Sequence, residues 1–134
     1  MNFECRGEVV NYATGGVAID RELPLVVLLH GAGMDRTVWS QQTRYLAHHG
    51  FAVMAVDFPG HGESGGMPLS SVKEMADWVS EFIAEVDMGP ARLIGHSMGS
   101  LVSLEAAAHH PESVERLVLL GTAPAMPVHP DLLG

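Results

Sequence analysis

Three short runs in this chain carry residue types that can do chemistry, at spacings that favour it. The most specific is Gly95-His96-Ser97-Met98-Gly99, a G-x-S-x-G run between the apolar stretch Ala91 to Ile94 and an Ala- and Leu-rich stretch that stops near Pro111. A serine between a strand and a helix sits on a tight, strained turn whose neighbours must be small. Gly95 and Gly99 remove the Cβ atoms that would collide where the helix passes the strand. The turn pushes the Ser97 hydroxyl out above the sheet edge. The helix starting there favours a developing anion through its dipole and its free N–H groups. The chemistry implied is attack by the Ser97 oxygen on an acyl carbon.

The second run, His30-Gly31-Ala32-Gly33-Met34, follows the apolar stretch Leu25 to Leu29. Glycines at a strand end let the backbone turn its N–H groups toward a neighbouring site. A tetrahedral acyl intermediate needs two such donors, and we assign them to the backbone N–H groups of Ala32 and Met98. Gly31, Gly33, Gly95, Gly99, His30 and His96 are the supporting positions. The third run is Asp57-Phe58-Pro59-Gly60-His61-Gly62-Glu63-Ser64, after the apolar stretch Phe51 to Val56.

The elements that must position these runs are legible as alternation. Leu25 to Leu29, Phe51 to Val56, Ala91 to Ile94 and Val114 to Leu120 are continuous apolar runs, the pattern of strands covered on both faces of a parallel sheet. Asp35 to His49, followed by Gly50, predicts a helix with Val38, Trp39, Tyr45 and Leu46 as its apolar stripe. Ser71 to Val86 predicts a stronger one: Ser71-Val72-Lys73-Glu74 matches a capping box. Val72, Met75, Val79, Phe82, Ile83 and Val86 make one buried face. Ser97 to His109 is the third helix, and Glu4 to Tyr12 a leading strand or hairpin. Strand–helix repetition with short connections gives right-handed βαβ units and one mostly parallel sheet with helices on both faces. Ligands bind at the carboxyl ends of such strands, here after Leu29, Val56 and Ile94.

His30-Gly31, the Asp57 to Ser64 run and Gly95 to Gly99, in this order and spacing, resemble the α/β-hydrolase superfamily, nearest its small serine esterases. The resemblance covers about Leu23 to Pro130. It implies an α/β-hydrolase fold, a nucleophile at Ser97 and an oxyanion hole at Ala32 and Met98, and it makes the Asp57 to Ser64 loop mainly structural. Relatives that cleave halides or epoxides carry Asp at the nucleophile position. Ser97 therefore argues for acyl transfer to water from a small carboxylic ester or related acyl compound. No cofactor or metal is called for.

One departure matters. In this fold the acid and then the base follow the serine. After Leu120, where some members place the acid, the chain reads Gly121-Thr122-Ala123-Pro124-Ala125, without a carboxylate. His129 and Asp131 come in the reverse order. Residues 125–134 resemble the start of a cap over the site. The expectation is that residues 1–134 form the N-terminal portion of a hydrolase core, incomplete at the C-terminus, lacking an identifiable triad acid and base, and inactive by itself. The alternative is a non-catalytic α/β-hydrolase-like binding or interaction protein.

Other residues have plainer readings. Ser97 as a mere helix cap is the competing one for that position. His30 holds the oxyanion loop and His61 organises its own. The His96 side chain points away from the Ser97 hydroxyl. His109 and His110 end a helix about 18 Å from Ser97 at 1.5 Å per residue, and His48 and His49 end another. Asp57 is a turn residue bonding nearby backbone N–H groups. Trp39 and Trp78 are packing residues.

Composition agrees. The 134 residues are 47% hydrophobic and 17% charged, which excludes a disordered polar chain. Seven basic against 16 acidic residues give a net charge of −9 with no Lys/Arg cluster, which speaks against nucleic acid and anionic membrane surfaces as partners. The single cysteine, Cys5, has no internal disulfide partner. The N-terminus lacks the basic and apolar regions of a signal peptide. A cytoplasmic location is the expectation.

Overall fold

The computed structural model describes residues 2–120 except Glu63 and Met67. The chain opens with a hairpin of β1 (Asn2–Cys5) and β2 (Glu8–Ala13). Its two turn residues, Arg6 and Gly7, both have positive φ, 53° and 76°, the backbone a two-residue hairpin turn needs to match strand twist. Then come β3 (Leu25–Leu29), a 3₁₀ turn at Arg36–Trp39, α1 (Ser40–Ala47), β4 (Ala52–Val56) and α2 (Val72–Val86). After these follow β5 (Ala91–His96), α3 (Met98–His109) and β6 (Val114–Leu120).

Six strands form one sheet in the order β1-β2-β4-β3-β5-β6. β4, β3, β5 and β6 run parallel, while β1–β2 and β2–β4 are antiparallel. The crossovers place β3 at the centre, with Leu29 beside Val56 on one side and Gly95 on the other. The three chemistry-bearing loops thus leave adjacent strands at one edge of the sheet.

The sheet buries both faces. Leu25, Val27 and Leu29 of β3 pack with Met54, Val56 and Leu93 against α2 and α3. Val26 and Leu28 pack with Val53, Ala55, Trp39 and Ala47 on the α1 side. This two-sided burial is why β3 reads as continuous rather than alternating hydrophobicity. α2 buries Met75, Trp78, Val79, Phe82, Ile83 and Val86, and Trp78 stacks on Phe82 with centroids 5.5 Å apart. Ser71 caps it, its Oγ accepting the Glu74 N–H at 3.1 Å. The reciprocal half of the capping box is displaced by one residue. The Glu74 carboxylate accepts from the N–H and the hydroxyl of Ser70, both at 3.0 Å, rather than from the Ser71 N–H.

The Asp35–His49 segment differs from its predicted single helix. Asp35 caps a 3₁₀ turn, and the α-helix begins only at Ser40. Trp39 is buried, but Val38 and Tyr45 are 44% and 62% exposed. The tighter 3₁₀ winding rotates Val38 out of register with the stripe, and Tyr45 stacks on His49 at the surface. β5 runs two residues beyond Ile94, to His96, so the serine turn begins immediately at the strand end. The predicted cap start at 125–134 lies outside the described residues. Among those described, no helix is long and apolar enough to cross a membrane.

Candidate active site

Ser97 sits between the last residue of β5 and the first of α3 with φ 56° and ψ −114°. Non-glycine residues avoid this region, at a cost of about 1–3 kcal/mol. Its side chain makes no cap hydrogen bond to the helix, so the plain capping role does not describe it. The flanking glycines make the turn possible. A Cβ on Gly95 would lie 2.3 Å from the Gly99 carbonyl oxygen, and one on Gly99 would lie 2.1 Å from the Leu29 carbonyl oxygen. The first lets the turn close on itself, and the second lets α3 press against the end of β3. Ser97 N–H donates to the Leu120 carbonyl at 3.0 Å. The buried Ser100 hydroxyl lies 2.9 Å from the Gly95 carbonyl oxygen and 2.7 Å from that of Leu120. The turn is thereby tied to the end of β6. Met98, as the first residue of α3, has an N–H outside the intrahelical ladder.

The Gly31–Met34 loop passes alongside. A Cβ on Gly31 would lie 3.3 Å from Ser97 Cβ and 3.2 Å from the Met34 sulfur. Gly33 adopts φ 72° and Ala32 is exposed at the loop tip. The structure therefore places Gly31 against Ser97, with Met98 the next residue along the chain and Ala32 on the Gly31 loop.

His30 is fully buried. Its Nδ1 bonds the Gly31 carbonyl at 2.7 Å, and its Nε2 accepts the Phe58 N–H at 3.1 Å. Both bonds are satisfied at once by the neutral Nδ1–H tautomer. Burial, foremost, holds its pKa below the ordinary histidine value. Asp57 is likewise fully buried. Its carboxylate accepts the Arg36 backbone N–H at 2.7 Å and the Arg36 guanidinium at 2.6 Å. The expected turn residue is thus also half of an ion pair spanning two loops.

The remaining histidines sit elsewhere. His61 Nδ1 is 3.0 Å from the Pro59 carbonyl. His96 lies edge-on to Trp39, with centroids 6.2 Å apart. His48 and His49 bond carbonyls of α1, and His109 faces Glu105. His110 corrects its reading as a merely solvated end: it bonds Asp77 of α2 at 2.7 Å and so ties α2 to the end of α3. His129 and Asp131 lie outside the described residues. Among the described residues, no cluster of His, Cys, Asp and Glu could hold a metal ion.

Two site residues escaped the sequence. Arg36 and Ser100 carry no motif, since an arginine on a short helix reads as solvated and a serine in a helix as filler. Only their partners across the fold reveal them.

The family described as alpha/beta hydrolase fold matches residues 24–133. The chain belongs to this family. It is 36% identical over 96 residues to an (E)-2-((N-methylformamido)methylene)succinate hydrolase of Acinetobacter baylyi, covering 71% of this chain and 36% of that protein. It is 39% identical over 101 residues to a pimeloyl-[acyl-carrier protein] methyl ester esterase of Chromobacterium violaceum, covering 75% of this chain and 38% of that one. Among solved structures, a membrane phospholipase A described as a bacterial virulence factor superposes with TM-score 0.82 at 30% identity, over 96% of this chain and 41% of that chain. Epoxide hydrolase A of Mycobacterium thermoresistibile superposes with TM-score 0.77 at 28% identity, over 89% of this chain and 37% of that one. The chain thus spans well under half the length of the relatives it matches.

Proposed function

We propose that Ser97 is the nucleophile of a serine hydrolase acting on a small carboxylic ester or related acyl compound. One observation carries this reading: Ser97 holds a backbone conformation non-glycine residues avoid, at a strand–helix turn pressed against Gly31. Structure that costs stability is retained where it serves a site. The relatives named as hydrolases and a methyl ester esterase support acyl chemistry.

In this mechanism the Ser97 oxygen adds to the ester carbonyl carbon, and the carbonyl oxygen becomes an oxyanion. The N–H groups of Ala32 and Met98 receive it, each such donor being worth about 10²–10³ in rate. The alkoxide leaves, and water releases the acid from the acyl-serine. A general base is needed to take the Ser97 proton. The 134-residue chain by itself is expected to turn over at near background, because without an acid and base to activate Ser97 only oxyanion stabilisation remains, and loss of a triad costs on the order of 10⁶ in rate.

The test uses the intact gene product. A fluorophosphonate probe should label it, and Ser97→Ala should remove labelling and lower p-nitrophenyl ester hydrolysis by roughly 10⁴–10⁶. Unchanged hydrolysis in Ser97→Ala would overturn the reading. Ligand binding without turnover would favour a non-catalytic binding protein instead.

A further inference from the structure

We infer that Arg36 and Asp57 are positioning residues, whose buried ion pair holds the Gly31–Met34 loop in place beside Ser97. The inference rests on the proposed function for its meaning, though not for its geometry.

The loop needs holding. Ala32, Gly33 and Met34 are all exposed, two of its four residues are glycine, and its internal support is a Met34 N–H to Gly31 carbonyl bond at 3.2 Å. An oxyanion donor must stay within a few tenths of an ångström of its place, and a shift near 1 Å costs on the order of 10² in rate.

Both ends of the loop are tied to consecutive residues of one neighbouring strand end. At the front, His30 Nε2 accepts the Phe58 N–H at 3.1 Å. At the back, Arg36 donates twice to Asp57, from its backbone N–H at 2.7 Å and its guanidinium at 2.6 Å. Residues 30 and 36 are thus fixed to residues 58 and 57, with the donor loop between them.

The platform is itself rigid. Asp57 N–H donates to the Asn11 carbonyl at 2.9 Å. The Ser64 hydroxyl donates to the Asp57 carbonyl at 2.7 Å and accepts the Asn11 N–H at 2.8 Å. Gly62 approaches so closely that a Cβ there would lie 2.4 Å from the Asp57 carboxylate. The Asp57, Gly62 and Ser64 positions of the third run therefore share one task, which is to present a fixed carboxylate to Arg36. Buried ion pairs are poor stabilisers compared with apolar packing, and what they supply is direction. A directional tie is what a donor loop requires.

The experiment compares wild type, Arg36→Met, and the neutral pair Arg36→Met with Asp57→Asn, which leaves no unpaired charge buried. In the intact gene product, kcat should fall 10- to 100-fold with KM changed less than threefold. A tetrahedral-adduct inhibitor such as a boronic acid should weaken by the same factor as kcat. The double variant should regain the melting temperature lost by Arg36→Met but not the rate. Separately, hydrogen–deuterium exchange on the 134-residue chain should quicken at residues 31–34 in the double variant, while β3 and β5 stay protected. Ser97-dependent turnover that survives within twofold in the double variant would overturn the inference and leave the proposed function standing. Absence of any Ser97-dependent turnover would overturn the proposed function, and the exchange measurement alone then decides the clamp. Unchanged exchange at 31–34 would overturn it.

Discussion

At the scale of single residues, strain and burial mark the site more sharply than charge does. Ser97 is held at φ 56°, ψ −114°, where glycine is comfortable and residues with a Cβ are not. Ser97→Gly should therefore be more stable than Ser97→Ala by about 1 kcal/mol, read from thermal unfolding. At an ordinary helix-interior position the order is reversed. Equal stabilities would show that the turn carries no strain. His30 makes a second prediction. Burial lowers its pKa in the folded state, so the unfolded chain binds the extra proton first. Its contribution to stability is full above the unfolded value of about 6.5 and is lost as pH falls below it toward the depressed folded value. Thermal unfolding should weaken between about pH 7 and pH 5, and His30→Gln should flatten that part of the profile. A slope equal to wild type would assign the effect to other groups.

Elements here are built to approach one another closely at one end. The buried face of α3 is Gly99, Ser100, Val102, Ser103 and Ala106, while Leu104 is 44% exposed. A helix faced with small residues seats deeply on the sheet, with Ser100 and Ser103 hydroxyls bonding nearby carbonyls. Gly99→Ala would place a methyl 2.1 Å from the Leu29 carbonyl. It should cost roughly 3 kcal/mol or more, since backbone rather than a flexible side chain must move. Urea unfolding checks this, and a loss below about 1 kcal/mol would contradict the close approach. The Ser71 cap belongs to the same scale: Ser71→Ala should cost about 1 kcal/mol. The sequence named all three helices but not their winding. Continuous apolar runs and spaced caps are local signals, whereas the 3₁₀ turn at Arg36–Trp39 carries an arginine bonded to Asp57, 21 residues away.

For the whole molecule, the order of strands does the assembling. Parallel β4, β3 and β5 place their three following loops side by side, which is how Gly31 meets Ser97 and Arg36 meets Asp57. The antiparallel hairpin at the β4 edge closes the α2 side of the sheet. Cys5 and Val10 join that core, and Phe3 meets Phe82 edge-on at 5.5 Å. Burial, foremost, raises the Cys5 thiol pKa, and Cys5 is 1% exposed. Alkylation by iodoacetamide at pH 8 should therefore be slow in the folded chain and fast in denaturant. Rapid native labelling would mean that the hairpin opens independently of the rest.

Much of this was determined by the sequence alone. Strand–helix alternation, the G-x-S-x-G turn and the Gly31–Met34 loop identify the fold and the proposed nucleophile, because those signals lie within a few consecutive residues and obey local sterics. Tertiary structure alone decided the roles of Arg36, Ser100 and His110. Their partners, Asp57, Leu120 and Asp77, stand 20 to 33 residues away. Nothing local distinguishes a solvated arginine from one whose guanidinium enters a buried carboxylate site. The difference is made only when β4 comes to lie beside β3.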